Sequence, residues 1–306
     1  MQYVVTTSDL TRKFGSFTAV NSLNIKIRQG EIYGFLGPNG SGKSTTIRML
    51  CGILEPTSGS GTVMGYDLAR DPEKIKQRIG YMSQKFSLYE DLTVYENLNF
   101  YAGLYSIPRR EREQRIKEMI AMALLGGREN DLAANLGGGL KQRLALGCAI
   151  ISRPAILFLD EPTSGVSPTS RRLFFKIIQS LASGGTTVMV TTHFMDEAER
   201  CHNIAFISEG TLIANDTPDN LKKTAIQGCM VEMEIPDALN RIQYLEGLPY
   251  VRDCSVHGAV VHALLDDRRH IPELEKAAGV RAAEITPSLE DVFIALAKLK
   301  RRQVRQ

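Results

Sequence analysis

A glycine-rich run with a lysine at residues 37–45 constrains this chain more than any other feature. The run reads Gly-Pro-Asn-Gly-Ser-Gly-Lys-Ser-Thr and fills every fixed position of the pattern G-x-x-x-x-G-K-[ST]. Glycines let the backbone curl until successive N–H groups face one anion, and the lysine adds a positive charge. A predicted buried strand, 31–36, precedes the run, and a predicted helix, 45–51, follows it. This context predicts a phosphate-binding loop at a helix N-terminus.

Each residue of the run is a candidate for binding a nucleotide. The candidates are Gly37, Pro38, Asn39, Gly40, Ser41, Gly42, Lys43, Ser44 and Thr45. The Lys43 ammonium suits the β- and γ-phosphates, and the Ser44 hydroxyl suits Mg²⁺. The loop alone leaves kinases, GTPases and ATPases open as classes.

An acidic pair narrows that choice. Asp160 and Glu161 follow a bulky apolar run, 155–159, which is typical of a strand covered on both faces of a parallel sheet. Ligands of open α/β sheets bind at the carboxyl ends of such strands. There Asp160 can hold Mg²⁺ through water, and Glu161 can act as the general base for an attacking water.

Two further polar residues end predicted strands. His193 follows the strand 187–192, from which its side chain can reach a γ-phosphate, and Gln84 follows the strand 77–83, from which its amide oxygen can reach Mg²⁺ or water. Taken singly, a histidine at a strand end is more often structural, and Gln84 alone indicates almost nothing about function. Together with Lys43 and Glu161, His193 completes the set of candidate catalytic residues.

The order of predicted elements indicates an α/β fold with a mainly parallel sheet and a helical insertion at about 91–153. Within it, 56–61 reads as a turn and 140–152 as a helix that follows a glycine-rich interruption. Beyond residue 218 the predicted order becomes β-α-β-β-α-β, the ferredoxin-like signature, followed by an amphipathic helix from Ser288 to Lys300. We therefore expect two domains, 1–218 and 219–306.

The composition mainly argues against particular partners and kinds of site. A net charge of +3 indicates no particular partner, and we expect no nucleic acid to bind. The five cysteines are scattered without a C-x-x-C pair, so neither a disulfide framework nor a zinc site is indicated. We find no signal peptide and no apolar run near the roughly 18 residues of a membrane span. If the chain works at a membrane, we expect another chain to hold it there.

These motifs carry a resemblance to a known family. Residues 1–218 resemble the nucleotide-binding subunit of an ATP-binding cassette (ABC) transporter, a P-loop NTPase. The matching features occur in that family's order and spacing: 37–45, Gln84, 136–143, 156–165 and Thr192-His193. The resemblance implies ATP and Mg²⁺ as cofactors and ATP hydrolysis as the activity. It also implies that Phe14 stacks on adenine, for which a core phenylalanine is the alternative. Gln84 resembles the link to the helical subdomain, and His193 the γ-phosphate sensor.

Residues 136–143, Leu-Gly-Gly-Gly-Leu-Lys-Gln-Arg, resemble the family's signature loop. The resemblance implies that Gly137, Gly138 and Gly139 present N–H groups to a γ-phosphate held by a second nucleotide-binding subunit. Two subunits would then sandwich two ATPs head to tail and drive membrane-spanning permease subunits from the cytoplasmic face of the membrane, as a peripheral component. The ending Ser-Leu-Glu-Asp-Val-Phe at 288–293 resembles ATPases that serve exporters of drugs, polysaccharides and lipids.

Two positions depart from the family pattern. Gly137 stands where signature loops carry serine, and Ser167 stands where the family usually has aspartate. The missing hydroxyl removes a charge-assisted hydrogen bond worth about 1.5–3 kcal/mol, which predicts a weakened rather than a lost contact. Both a homodimer with slower sites and a heterodimer with unequal sites fit this pattern. A regulatory subunit with weak hydrolysis and a cassette ATPase outside transport are the alternative functions.

Overall fold

The computed structural model describes residues 2–85 and 87–304. The chain divides into two compact units, Met1–Leu212 and Ile213–Gln306, here called the N-terminal and C-terminal units. The domain boundary at 218 stays a prediction, and residues 305 and 306 of the predicted second domain lie outside the described residues. No helix within the described ranges is both long enough and apolar enough to cross a membrane.

The strands, in chain order, are β1 (Tyr3–Phe14), β2 (Phe17–Leu23), β3 (Lys26–Arg28), β4 (Ile32–Leu36), β5 (Ser58–Val63), β6 (Tyr66–Asp67), β7 (Ile79–Met82), β8 (Ile156–Asp160), β9 (Thr187–Thr192), β10 (Asn203–Ser208), β11 (Thr211–Asp216), β12 (Cys229–Glu234), β13 (Val251–His257), β14 (Val260–Leu265) and β15 (Ala283–Glu284). The helices are α1 (Lys43–Leu50), α2 (Pro72–Lys76), α3 (Val94–Leu104), α4 (Arg109–Met122), α5 (Gly138–Ile150), α6 (Pro168–Ser183), α7 (Met195–Ala198), α8 (Pro218–Thr224), α9 (Ala238–Glu246), α10 (Ile271–Ala278) and α11 (Leu289–Val304).

The N-terminal unit is built on two sheets. The larger sheet has the strand order β11-β10-β4-β9-β8-β7, in which β10, β4, β9, β8 and β7 pair in parallel. Its central strands β4, β8 and β9 are buried along their whole length, as a sheet covered on both faces requires. The second sheet has the order β2-β1-β5-β6, and β3 also pairs with β1. The α/β fold with mixed sheets and helices α3–α5 inserted between β7 and β8 is thereby confirmed.

Two strands of the second sheet correct the sequence interpretation. Residues 56–61 were expected to form a turn, but β5 begins at Ser58 and pairs with β1. A Cβ at Gly59 would lie 2.2 Å from the Asp9 carbonyl oxygen, so glycine permits a close approach of two paired backbones. β2 was not predicted; it returns from β1 through a hairpin at Gly15, whose φ is +58°. In both places the glycines serve a hairpin or a pairing, not an interruption of the sheet.

The C-terminal unit follows the predicted order β12-α9-β13-β14-α10-β15. Its strands form one antiparallel sheet in the order β13-β14-β12-β15, a ferredoxin-like arrangement. One sheet face carries Val231, Met233 and Val261 and packs with Leu245 of α9 and Leu274 of α10. Residues of the opposite sheet face, Met230 and Leu264, pack with Ala295 of α11. The amphipathic pattern of α11 therefore has a partner within its own unit.

Candidate functional site

Four neighbouring strands of the parallel sheet end at one edge. The chain leaves β4 for the loop 37–45, β8 ends at Asp160, β9 is followed by His193, and β7 is followed by Gln84. Because these strands are parallel, their carboxyl ends lie side by side. The fold thus gathers the polar residues singled out in the sequence at a single edge.

Two glycines of the loop, Gly37 and Gly42, leave no room for a side chain. A Cβ at Gly37 would lie 2.3 Å from the Ile207 carbonyl oxygen. Gly42 has φ +102°, and a Cβ there would lie 2.4 Å from the Ala19 carbonyl oxygen. α1 begins at Lys43, two residues earlier than predicted, with Gly42 as its N-cap. The unpaired N–H groups of the first helical turn therefore belong to the loop itself, where they favour an anion.

Lys43 is held in place by its surroundings. Its side chain is buried, and Nζ donates to the carbonyl oxygens of Gly37 and Pro38 at 2.8 and 3.1 Å. Nζ also forms an ion pair with Glu161 Oε1 at 2.9 Å. Ser41, at the centre of the loop, is buried, and its hydroxyl has no hydrogen-bond partner among residues 2–85 and 87–304. A buried polar group of this kind normally has a partner, which suits a loop built to hold a phosphate.

Glu161 is the point where the catalytic candidates meet. Its Oε2 lies 3.5 Å from His193 Nδ1 and 3.4 Å from Gln84 Nε2, while Oε1 faces Lys43. Its backbone has φ +46°, in the left-handed region, and its N–H donates to Thr191 Oγ1 at 2.8 Å. A non-glycine residue in this region is uncommon and is found disproportionately at functional sites. The turn directs the carboxylate toward the loop.

Asp160 is a carboxylate suited to a metal ion. It is 2% exposed, and Oδ1 accepts hydrogen bonds from Ser44 Oγ at 3.0 Å and from Thr191 Oγ1 at 2.9 Å. Burial raises the pKa of the Asp160 carboxyl, and the two hydroxyl donors only partly oppose that shift. The Ser44 hydroxyl and the Asp160 carboxylate are hard oxygen donors, so these residues fit Mg²⁺. The Gln84 amide nitrogen faces Glu161 in this arrangement.

A cleft of about 460 Å³ lies over the loop. Its lining comprises Phe14, Phe17, Ala19, Asn39, Gly40, Gly42, Lys43, Ser44, Thr45, Gln84 and Glu161. Phe14 is 47% exposed, with the Arg12 guanidinium 4.6 Å from its ring centroid. The ring is therefore not part of the core, and an aromatic face is available at the cleft. Stacking of adenine on Phe14 stays a prediction.

The glycines of the signature-like loop lie at the N-terminus of α5. Gly137 is the N-cap of α5, and Gly138 and Gly139 lie in its first turn, so the helix begins two residues before the predicted 140. It also ends at Ile150, two residues before the predicted end, because Arg153 adopts φ +52° ahead of Pro154. None of the three glycines is in the described lining of the cleft over 37–45. The N–H groups of this first turn form a second potential anion contact.

Known proteins that resemble this chain agree with the geometry of the site. The model of the ABC transporter family matches residues 20–164. The Nod factor export ATP-binding protein I of Rhizobium etli is 34% identical over 291 residues, which cover 94% of this chain and 92% of the relative. This chain belongs to the ABC transporter family. It is an ATP-binding protein of the ABC type, and members of this family hydrolyse ATP.

Two further matches refine the place within the ABC family. A probable multidrug ABC transporter ATP-binding protein, YbhF of Escherichia coli (strain K12), is 50% identical over 219 residues, or 72% of this chain. The chain spans 38% of that relative's length. A solved ATP-binding cassette, a dimer in a post-hydrolysis state bound to ADP and Pi, is 26% identical with a TM-score of 0.64 and covers 70% of this chain and 98% of its own.

Two further residues at the candidate site, Thr191 and Phe17, were not singled out from the sequence. Thr191 bridges the acidic pair, because its hydroxyl donates to Asp160 and accepts from the Glu161 N–H. Phe17, which is 62% exposed, lines the cleft beside Phe14. Thr191 could have been noticed as a threonine at the end of an otherwise apolar strand. The position of Phe17 could not be inferred without β2, which the sequence did not predict.

Proposed function

We propose that two nucleotide-binding subunits, of which this chain is one, close head to tail around ATP and that hydrolysis lets them open. This cycle drives export of a substrate through separate membrane-spanning permease subunits, with the chain peripheral at the cytoplasmic face. The observation that carries the proposal is the convergence of Lys43, Asp160 and Glu161 at the loop. A relative matched over almost its whole length is named for Nod factor export, which supports the direction of transport.

Each side chain of the site has its own role in the proposed reaction. Lys43 and the N–H groups of the loop bind the phosphates, and Ser44 and Asp160 hold Mg²⁺, which when bound neutralises charge on the phosphate oxygens. Glu161 accepts a proton as the water oxygen bonds to the γ-phosphorus and the bond to the ADP oxygen breaks. His193, beside Glu161, contacts the γ-phosphate. For this step the Glu161 carboxylate has to exchange its contact with Lys43 for one with water.

In the proposed dimer, the N-terminal turn of α5 contacts the nucleotide on the opposite subunit. The first-turn N–H groups at Gly137–Gly139 contact the γ-phosphate on the opposite subunit, through the backbone and the helix dipole. The relative solved as a dimer with ADP and Pi supports this arrangement. The chain's own loop, Asp160, Glu161 and His193 are complete, whereas both departures, Gly137 and Ser167, belong to the partner-facing motifs. A homodimer is our working arrangement; brisk, cooperative turnover by the purified chain alone would contradict a required heterodimer.

The deciding experiment compares ATPase turnover of the wild type with that of Glu161→Gln, with and without candidate permease subunits. We expect the variant to lose roughly 10²–10⁴-fold in turnover, because the general base is removed, while it still binds ATP and accumulates as an ATP-bound dimer. Glu73→Gln is the matched control, since Glu73 lies on the surface of α2 with a 77% exposed side chain. Its turnover should equal that of the wild type.

Two outcomes would contradict the proposal. Equal, slow turnover of the wild type and Glu161→Gln in the presence of permease subunits would indicate a regulatory nucleotide-binding subunit. Normal turnover without any membrane subunit that copurifies or stimulates the activity would indicate a cassette ATPase outside transport.

A further inference from the structure

The C-terminal unit places two histidines and an aspartate around one point. His262 of β14 pairs with Glu232 of β12 on one side and with Ser255 of β13 on the other, so these side chains form a row on one sheet face. His257, two residues beyond Ser255, shares that face. Asp291, in the first turn of α11, lies over it.

The ligand atoms converge closely. His262 Nδ1 lies 2.9 Å and His257 Nε2 lies 3.2 Å from the same oxygen, Asp291 Oδ1. All three ligand atoms lie within 4.8 Å of one another. Around a tetrahedral ion with bonds of about 2.0–2.1 Å, neighbouring ligand atoms are about 3.3 Å apart. The two distances from the histidine nitrogens to Asp291 Oδ1, 2.9 and 3.2 Å, are close to that edge length.

The outer contacts are those that orient metal ligands. Asp291 Oδ2 accepts hydrogen bonds from the N–H and the hydroxyl of Ser288 at 2.8 and 2.7 Å, which leaves Oδ1 directed at the histidines. Glu232 Oε2 lies 3.2 Å from His262 Nε2, the ring nitrogen that faces away from Asp291. A carboxylate behind a histidine fixes the tautomer whose other nitrogen is free to bind a metal ion.

Hydrogen counting supports the same interpretation. Both ring nitrogens of His262 face carboxylate oxygens, yet a neutral imidazole has only one N–H to donate. The second nitrogen then places a lone pair against Asp291, unless a cation, either a proton or a metal ion, lies between them. The His257 ring is stacked on His262 at a centroid distance of 4.2 Å, and its Nε2 faces both Asp291 Oδ1 at 3.2 Å and the Ser255 hydroxyl at 3.0 Å. A single shared cation satisfies all three side chains.

We propose that His257 Nε2, His262 Nδ1 and Asp291 Oδ1 bind one divalent first-row transition-metal ion of the zinc class. Two imidazoles and one carboxylate form a zinc-type ligand set, and three protein ligands leave a coordination position for water. The His257 side chain is 20% exposed, which provides access, while that of Asp291 is fully buried. The ion fastens the β13–β14 hairpin to the start of α11. The sequence expectation of no zinc site rested on cysteine spacing and did not consider histidines.

The test uses the full-length chain, freed of metal by a chelator and without an affinity tag that contains histidine. Co²⁺ is the probe, because its ligand-field absorption reports coordination number and ligand type. We expect one equivalent to bind, with intense bands of four- or five-coordinate Co²⁺ that Zn²⁺ displaces. His257→Gln and Asp291→Asn should each weaken binding at least tenfold, and Glu232→Gln should weaken it about 10–100-fold. His270→Gln is the matched control, since His270 contacts Glu273 and Asp266 outside the cluster.

ATPase turnover and the thermal transition of each variant without metal show whether it is folded, and we expect His257→Gln to match the wild type in both. Added Zn²⁺ should raise the melting temperature of the wild type and of His270→Gln but not that of His257→Gln. The proposal is overturned if the wild type binds no Co²⁺, if His257→Gln and Asp291→Asn bind as tightly as the wild type, or if the spectrum shows thiolate-to-cobalt charge transfer, since all five cysteines lie outside this cluster.

Discussion

At the scale of single residues, the edge of the parallel sheet that carries the candidate site contains a carboxylate whose burial is energetically unfavourable. Asp160 is almost fully buried, and burial raises the pKa of its carboxyl. Two hydroxyl groups donate to it, whereas the Lys43 ammonium of the loop pairs with Glu161. These hydroxyl groups and the positive charge of Arg48 offset only part of the cost of burying this carboxylate, so its charge favours Mg²⁺ and opposes folding without it.

Asp160→Asn should accordingly stabilise the nucleotide-free chain while it abolishes ATPase activity. The asparagine oxygen can still accept from Ser44 and Thr191, and the buried charge is gone. We expect a gain of about 1 kcal/mol, which is roughly 2–4 °C in melting temperature for a domain of this size. Differential scanning calorimetry without nucleotide measures it; a lower melting temperature than the wild type would contradict the interpretation.

The gain should depend on pH with a definite sign. Because the folded pKa of Asp160 is raised above the ordinary value of 3.8, its charge opposes folding as the pH rises from 3.8 through the folded pKa. Below 3.8 the wild-type carboxyl is protonated in both states and resembles the asparagine. Urea denaturation at a series of pH values should show the advantage of Asp160→Asn growing from acid toward neutral pH and then levelling off.

Gly137 provides a second prediction at this scale. A Cβ at Gly137 meets nothing within 4 Å, so Gly137→Ser restores the family's hydroxyl without a clash in the subunit. One recovered charge-assisted hydrogen bond, about 1.5–3 kcal/mol, should strengthen ATP-dependent dimerisation by at least tenfold. Analytical ultracentrifugation of the pair Glu161→Gln and Glu161→Gln/Gly137→Ser with ATP measures it. Unchanged association would remove Gly137 from the proposed interface.

At the scale of elements, two helix starts, those of α5 and α6, lie against each other. Gly139 in the first turn of α5 faces Ser170 in the first turn of α6, and Ser167 caps α6 by accepting from the Ser170 N–H. A Cβ at Gly139 would lie 2.5 Å from Ser170 Oγ and 2.9 Å from Ser170 Cβ, whereas a Cβ at Gly138 would touch only Val166 at 3.8 Å. Neighbouring glycines of one motif thus have different reasons to be glycine.

This difference is measurable with one pair of variants. Gly138→Ala should stabilise the chain by up to about 1 kcal/mol, because alanine is the better helix former. Gly139→Ala should lose that gain and destabilise the chain by about 1–3 kcal/mol, because Ser170 and its helix have to shift. Urea midpoints at constant m-value report both changes. Equal effects of the two substitutions would show that the α5–α6 contact does not constrain Gly139.

Elements that are marked by a sequence motif or by hydrophobic periodicity could be predicted from the sequence. Strands that form only because a distant strand pairs with them could not. The loop, the buried strand β8, the acidic pair and the C-terminal order β-α-β-β-α-β follow from short motifs and periodicity. β5, in contrast, consists of serine and glycine at its start, and only its partner β1 makes it a strand. The Lys43–Glu161 ion pair and the role of Thr191 needed the strand order, which a single sequence does not specify.

At the scale of the whole molecule, each unit has a hydrophobic core of its own. Buried residues from β1 to β10 form one cluster with α1, and buried residues from β12 to α10 form another. Every residue of the nucleotide cleft belongs to the first unit, whereas the histidine cluster belongs to the second. The nucleotide and the transition-metal ion that we propose would therefore bind to units with separate hydrophobic cores.

Ligand effects should therefore separate in calorimetry of the full-length chain. MgATP at about 100 times its Kd, added to Glu161→Gln to prevent turnover, stabilises the unit that binds it by about 2.7 kcal/mol. We expect this addition to raise one transition and to leave the transition of the C-terminal unit in place. A single transition that moves as a whole would show that the two cores unfold as one cooperative unit.

The ion pair between Lys43 and Glu161 also bears on how the chain admits nucleotide. While this ion pair is made, the Glu161 carboxylate occupies the Lys43 ammonium that we propose for phosphate binding, so Glu161 would compete with ATP for Lys43. The measured affinity for ATP is then the intrinsic affinity scaled by the fraction of molecules in which Lys43 is free. The residue that we propose as the general base would thus also help to set the ATP concentration at which the chain begins to respond.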